Sequence, residues 1–342
     1  VPLLARSGTG ENDVKAMVID RFGGPELFRE ATLPDPVAGP GEVLVAIEAA
    51  SVNPVDWKIR SRGPGIAPAL PAVLGCDFAG RVTELGDGVH GFAVGDRVFG
   101  CAGGVKGMPG TYATMIAADA RLIAKAPATL DAHAAAALPL VTITAWEGLF
   151  DRARIHEGAT VLVHGGTGGV GHVAVQLAAA AGAKVTATVS SPEKATLARS
   201  LGAAETIDYR NETVEAYVAR LTGGRGFDVV FDATGGSDIA TSFAAARTNG
   251  QVVTIVSQYT ADLTLMHTKG LSLHVVFMLL PMLTGAGRER QGEILSAAAR
   301  LAEEGKLRPV LDKTRFGLAD VAAAHTRLES GKAIGKVVID IA

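Results

Sequence analysis

Gly166-Thr167-Gly168-Gly169-Val170-Gly171 is the stretch that decides the fold. It has the form G-x-G-x-x-G. It follows a short apolar run at residues 161–163 and opens a segment, 169–181, whose apolar residues recur at helical spacing up to Gly182. In such a loop the first glycine permits a tight turn and the second lets the backbone approach a pyrophosphate. The third lets the helix pack on the strand. The helix N-terminus favours the anion. A lone glycine-rich string is weak evidence, because such turns are common. Here it stands between a strand and a helix, and a second strand follows at 184–189, so the reading is dinucleotide binding.

Working outward, Ser191 and Pro192 supply an N-cap and a first-turn proline for the next helix. Four more strands are predicted at 205–209, 228–232, 251–256 and 271–277, with helix-like segments between most of them. This alternation predicts a doubly wound parallel sheet over residues 138–278. Upstream, residues 15–137 read as short strands (16–20, 42–50, 78–85) between Gly/Pro clusters such as Gly39-Pro40-Gly41. They predict a small irregular β domain. The tail, 279–342, carries an amphipathic helix at 292–304 and a last strand at 336–341, expected to return to the first domain. The fold class is α/β with a β-rich first domain.

The length of 342 residues suits two domains, and 48% hydrophobic with 20% charged residues describes a globular chain. A net charge of −3 leaves no basic excess for neutralising phosphates, so nucleic-acid binding is excluded. Cys76 and Cys101 alone make neither a disulfide framework nor a four-cysteine zinc lobe, which points to a reducing compartment. Residues 1–14 read as a flexible polar arm without a signal-peptide pattern. The longest nearly apolar run, 271–283, is too short to span a bilayer and is broken by His274 and Pro281. The expectation is a cytoplasmic protein with no membrane segment.

Cofactor choice is read at the end of the second strand. A carboxylate there would bond the ribose 2′-hydroxyl of NADH. The chain instead has Ser190 and Ser191, with no carboxylate before Glu193. Serine can donate to a 2′-phosphate, Lys194 can add positive charge, and Tyr209 can close the site. The expected cofactor is NADPH.

With these residues in view, the chain resembles the medium-chain dehydrogenase/reductase superfamily, and within it the zinc-independent quinone oxidoreductases, including zeta-crystallin-like proteins and alkenal/enone reductases. The landmarks are Asn53-Pro54-Val55-Asp56-Trp57-Lys58, Gly75-Cys76-Asp77-Phe78-Ala79-Gly80, Gly95-Asp96-Arg97-Val98, Gly110-Thr111-Tyr112-Ala113, Gly168-Gly169-Val170-Gly171 and Gly335-Lys336-Val337-Val338. The resemblance implies a GroES-like catalytic domain (15–137 and 279–342), a Rossmann NADPH-binding domain (138–278) and an active site between them.

The resemblance also bears on zinc. Zinc-dependent relatives use Cys where this chain has Asn53, and Gly-His-Glu where it has Gly75-Cys76-Asp77. Their third ligand is expected near 138–146, which holds no Cys, His or Asp. A catalytic zinc needs three protein ligands, so no metal is expected. The implied activity is hydride transfer from NADPH to quinones or α,β-unsaturated carbonyls. A zinc-dependent alcohol dehydrogenase and a non-catalytic NADPH-binding protein are the alternatives. By resemblance, Asn53 is the hydrogen-bond donor in the cleft and Lys58 a cation near the developing enolate or quinol oxygen. Thr144 lies beside the cofactor, and Phe277 and Lys336 run past its nicotinamide end, Phe277 through its backbone. With Gly166, Gly168, Gly169, Val170, Gly171, Ser190, Lys194 and Tyr209 they complete the expected site. The partners implied are a small hydrophobic electrophile and a second copy of the chain in a homodimer.

Overall fold

The computed structural model describes residues 14–236, 239–256 and 258–341; the expected N-terminal arm lies outside these residues apart from Val14. Thr160–His164 is the central strand of a six-stranded parallel sheet. Val161, Leu162 and Val163 are fully buried, the pattern of a strand covered by helices on both faces. Lys184–Val189 and then Glu205–Asp208 lie on one side of it. Phe227–Asp232, Ala246–Thr254 and Ser272–Val275 follow on the other. The chain thus starts in the middle, winds one way, and then crosses to wind the other. The crevice at that reversal, outside the carboxyl ends of the strands, is where such sheets bind ligands.

The sequence pattern found each strand of this parallel sheet and missed some ends. Ala246–Thr254 begins five residues before the predicted 251, because its first half is the polar Ala-Arg-Thr-Asn, with Asn249 at φ 55°. The helix after the glycine loop is Gly171–Ala180, buried along most of its length; the predicted amphipathic helix of the tail is Arg288–Glu303, and a further helix, Val321–Glu329, follows it.

The β-rich part is organised by one long strand, Glu42–Val52. Asp77–Leu85 pairs along it antiparallel, and Met115–Asp119 and the last strand, Val337–Asp340, share its other edge. The chain's end therefore returns to the sheet its first hundred residues build. A smaller sheet joins Arg29–Leu33, Val14–Ile19 and Ala72–Val73.

Between the helices Pro54–Arg62 and Val321–Glu329 starts a directed chain of polar groups, all buried except Glu329. Arg60 is 1% exposed. Its Nη2 pairs with Glu329 at 2.7 Å, and its Nη1 donates to His325 Nδ1 at 3.2 Å. His325 Nε2 meets the Tyr112 hydroxyl at 3.1 Å, which donates to Asp56 at 3.2 Å. Because Arg60 can only donate, His325 carries its hydrogen on Nε2 and is neutral. Burial, with the Arg60 charge adding to it, lowers the imidazole to about 3. Between pH 6.5 and 3 the unfolded chain therefore binds a proton that the folded chain refuses. This contribution to stability is complete above pH 6.5 and is lost as the pH falls. His325→Gln keeps an acceptor and a donor but cannot titrate. Denaturant unfolding at pH 7, 6, 5 and 4 is expected to show a shallower acid loss for the variant than for the wild type.

Candidate active site

The crevice at the winding reversal is a cleft of about 530 Å³. Gly168, Gly169 and Val170 line one wall, and Ser190, Lys194 and Tyr209 another. Gly331 and Ala333, from the segment before the last strand, also face it.

The glycine loop is built as expected in its last member and differently in its first. A Cβ on Gly171 would lie 2.1 Å from the Gly165 carbonyl oxygen, so only glycine lets the helix pack this closely. The positive backbone angle, however, belongs to Gly165 (φ 68°) and not to Gly166. Gly166 is needed for a different reason: a Cβ there would meet that of Ala187 at 2.5 Å. The Gly165 N–H donates to Thr188 Oγ1 at 2.9 Å, tying the turn to the second strand. Under the loop, His172 bonds the Gly168 carbonyl through Nδ1 at 2.9 Å. Burial lowers that imidazole to about 4, so it is a neutral donor at pH 7.

At the end of the second strand, Lys194 Nζ donates to Ser190 Oγ at 3.1 Å. Ser191 caps the helix Pro192–Ser200, accepting from the Lys194 N–H at 3.3 Å. Tyr209, 55% exposed, stands opposite. Arg210 was not singled out by its sequence context. Its Nη1 donates to the Ser190 carbonyl at 3.3 Å and its guanidinium lies 5.9 Å from the Tyr209 ring centroid.

Asn53 is placed otherwise than the resemblance implies, and Lys336 meets it there. Asn53 does not present its amide to the cleft; it is fully buried, its Nδ2 donates to Asp77 at 2.8 Å, and its Oδ1 accepts from Lys336. The Lys336 ammonium, 3% exposed, also reaches the Val52 carbonyl at 3.3 Å and Asp77 at 3.4 Å. Its stem, not its charge, approaches the glycine loop: Cδ lies 3.8 Å from where a Gly169 Cβ would stand. Asp77 further accepts from Ser51 Oγ at 3.0 Å and from the Leu140 N–H at 2.9 Å. A buried polar knot occupies the position where an open donor was expected. The spacing could not reveal it, because its members lie up to 285 residues apart in sequence and meet only when the last strand docks on Glu42–Val52.

Lys58, Thr144 and Phe277 are not among the residues that line this cleft. Lys58 is half-buried with its ammonium 5.9 Å from the Trp57 ring centroid. Thr144 Oγ1 donates to the Leu140 carbonyl at 2.7 Å within its own helix. The Phe277 carbonyl accepts from the Leu280 N–H at 3.1 Å, and its side chain is 48% exposed. Asp56, raised to about 6 by burial, accepts from the Asn53 N–H at 2.7 Å and from the Cys76 thiol at 3.3 Å. Hydrogen bonding to Cys101 and burial hold Cys76 well above the usual thiol range. Among the described residues, no group of three His, Cys, Asp or Glu side chains is placed to hold a metal ion.

Comparison with known proteins gives consistent likenesses. Residues 39–128 match the alcohol dehydrogenase GroES-like domain and residues 201–339 the zinc-binding dehydrogenase family. The chain is 35% identical to a quinone oxidoreductase of Pseudomonas aeruginosa, over 93% of this chain and 97% of that one. It is 31% identical to a quinone oxidoreductase of Rattus norvegicus, over 97% and 99%. It is also 35% identical to the phthioceranic/hydroxyphthioceranic acid synthase of Mycobacterium tuberculosis, but spans only 14% of that protein's length. Among solved structures, an alcohol dehydrogenase superfamily protein from Novosphingobium aromaticivorans superposes with a TM-score of 0.91 at 41% identity, covering 96% of this chain and 100% of that one. A mycobacterial protein complexed with NADPH superposes at 0.82 with 30% identity, covering 96% and 99%.

The knot generates a stability prediction. Lys336→Met leaves the buried Asp77 carboxylate without its cation, and breaking a buried pair in this way costs about 3–5 kcal/mol. Urea unfolding is expected to show a loss of that size, with Lys336→Arg losing less. A near wild-type midpoint for Lys336→Met would show that the neutral donors alone satisfy Asp77.

Proposed function

Because the chain belongs to the quinone oxidoreductases of the medium-chain dehydrogenase/reductase superfamily, we propose that it transfers hydride from NADPH to quinones or α,β-unsaturated carbonyl compounds without a zinc ion. The observation that carries the reading is the pair Ser190–Lys194 at the end of the second strand, a hydroxyl and an ammonium where a carboxylate would select NADH. A 2′-phosphate fits that donor set, and the glycine loop with the helix behind it fits a pyrophosphate. Bound NADPH would supply the hydride chemistry. The chain's own residues hold and orient it: Gly168 to Val170 and the helix N-terminus at the diphosphate, Ser190, Lys194 and Tyr209 at the adenosine end.

The zinc-free reading is supported by the donors themselves. Asn53 and Asp77, at the positions zinc-dependent relatives use for a ligand and its neighbour, both face the Lys336 ammonium. An ammonium already bound there repels a second cation. Without a Lewis acid, the acceptor must be one whose new negative charge is delocalised, as in a quinone or an enone. With the Asn53 side chain engaged inside the protein, the acceptor oxygen is left to Lys58 or to the cofactor's ribose hydroxyl. Among the described residues Lys58 has no carboxylate partner, and its ammonium is 5.9 Å from the Trp57 ring centroid.

We also propose a homodimer. Ser272–Val275 is an edge strand, and Val275, Phe277 and Leu280 leave apolar surface beside it; a second copy would extend the sheet and cover them. Two buried thiols suit a cytoplasmic, reducing setting.

The test is NADPH oxidation against quinones, enals, enones and 2-haloacrylates by protein purified without added metal. Turnover is expected with far less than one zinc per chain and no loss on chelation. Failure of the whole panel would favour a non-catalytic NADPH-binding protein. Lys194→Ala is expected to weaken NADPH binding about tenfold or more, a charge-assisted bond being worth roughly 1.5–3 kcal/mol, with NADH little changed. Equal losses for both cofactors would mean that Lys194 serves the fold.

A further inference from the structure

We propose that Arg210 is the second cation of the cofactor-selecting site and that, together with Lys194, it grips the 2′-phosphate; the inference rests on the NADPH reading above. Val189 and Asp208 are register partners on neighbouring parallel strands. The loops that begin at Ser190 and Tyr209 therefore leave the sheet side by side, at the same end as the cleft.

Ser190 is held from two directions. Its hydroxyl accepts from Lys194 Nζ at 3.1 Å, and its carbonyl accepts from Arg210 Nη1 at 3.3 Å. One residue thus anchors an ammonium through its hydroxyl and a guanidinium through its carbonyl. The guanidinium is steadied by the Tyr209 ring, itself part of the cleft wall, with 5.9 Å between its carbon and the ring centroid. A guanidinium anchored by one of its nitrogens keeps the remaining donors of its rigid fork for a planar or tetrahedral oxyanion.

The neighbouring carboxylates are committed elsewhere. Asp208 accepts from the Arg210 backbone N–H at 3.1 Å and from Asn211 Nδ2 at 2.8 Å. Glu212 is paired with Arg220 at 2.7 Å. A hydrogen bond from Ser191 holds the exposed Glu193 carboxyl below its usual range. Among the described residues, neither Lys194 nor Arg210 has a carboxylate partner for its side chain. Two cations held on one residue without a carboxylate leave their charge for an anion, and a dianionic phosphate supplies it. A ribose hydroxyl gives no such return, so the arrangement separates NADPH from NADH by charge as well as by the lack of a carboxylate.

The experiment is equilibrium binding to the full chain of NADPH, NADH, 2′,5′-ADP and 5′-ADP, for the wild type, Lys194→Ala, Arg210→Gln, Arg210→Lys and the double variant. Arg210→Gln is expected to weaken NADPH and 2′,5′-ADP about tenfold and to leave NADH and 5′-ADP within about twofold. Arg210→Lys, which keeps the charge and loses the fork, is expected to fall between. The NADPH affinity of Arg210→Gln should also depend less steeply on salt than that of the wild type. If Lys194→Ala is selective and Arg210→Gln is not, the Arg210 assignment is overturned and the NADPH reading stands. Loss of both cofactors alike on Arg210→Gln also overturns it, making the arginine a loop support. If the wild type itself does not prefer 2′,5′-ADP to 5′-ADP, the NADPH reading falls and Arg210 with it.

Discussion

A single carboxylate, that of Asp77, ties the molecule together. It is fully buried and gathers hydrogens from Ser51 and Asn53 near the end of the long strand, from Lys336 just before the last strand, and from the Leu140 backbone in the helix Pro139–Trp146. Three stretches of chain converge on one group. A buried anion is tolerated only when its lone pairs are filled and a cation is near. The folded arrangement is therefore the one in which all these segments are present together. The N-terminal sheet, the returning tail and the helix that leads into the dinucleotide sheet are locked by the same charge.

The dinucleotide sheet was legible in the sequence because its signals are local. A strand, a glycine loop and a helix sit within about twenty consecutive residues, and Ser191-Pro192 marks the next helix start without reference to anything distant. The β-rich part was legible only in outline, since Val337–Asp340 finds its partner across most of the chain. At the site the same division holds. Ser190, Lys194 and Tyr209 lie at strand ends and on the first helical turn, where local pattern fixes direction. Asn53 and Lys336 were given roles by family position, and their side chains point where tertiary contact sends them. The turn at Gly165 was invisible for another reason: a run of glycines does not declare which member takes the positive angle. Arg210 was passed over because an exposed arginine after a strand normally needs no explanation.

The cleft combines two electrostatic regimes. Around Ser190 the cations stand near the surface, where water and salt moderate them. Behind the glycine loop the charges are buried and paired, and the imidazole of His172 is kept neutral against the Gly168 carbonyl. The first regime suits reversible capture of an anion. The second holds the loop from behind through the His172 bond to the Gly168 carbonyl, which stays in place when that anion arrives.

The two cysteines acquire a meaning from the chemistry proposed for the cleft. Quinones and enals alkylate thiolates, so a catalyst that handles them risks arylating itself. This chain has only Cys76 and Cys101, and both are completely enclosed. The Cys76 sulfur holds its hydrogen toward Asp56 and is kept protonated. The nucleophile that a soft electrophile seeks is the thiolate, exposed and ionised. With both sulfurs enclosed, the chain offers such electrophiles no cysteine to attack.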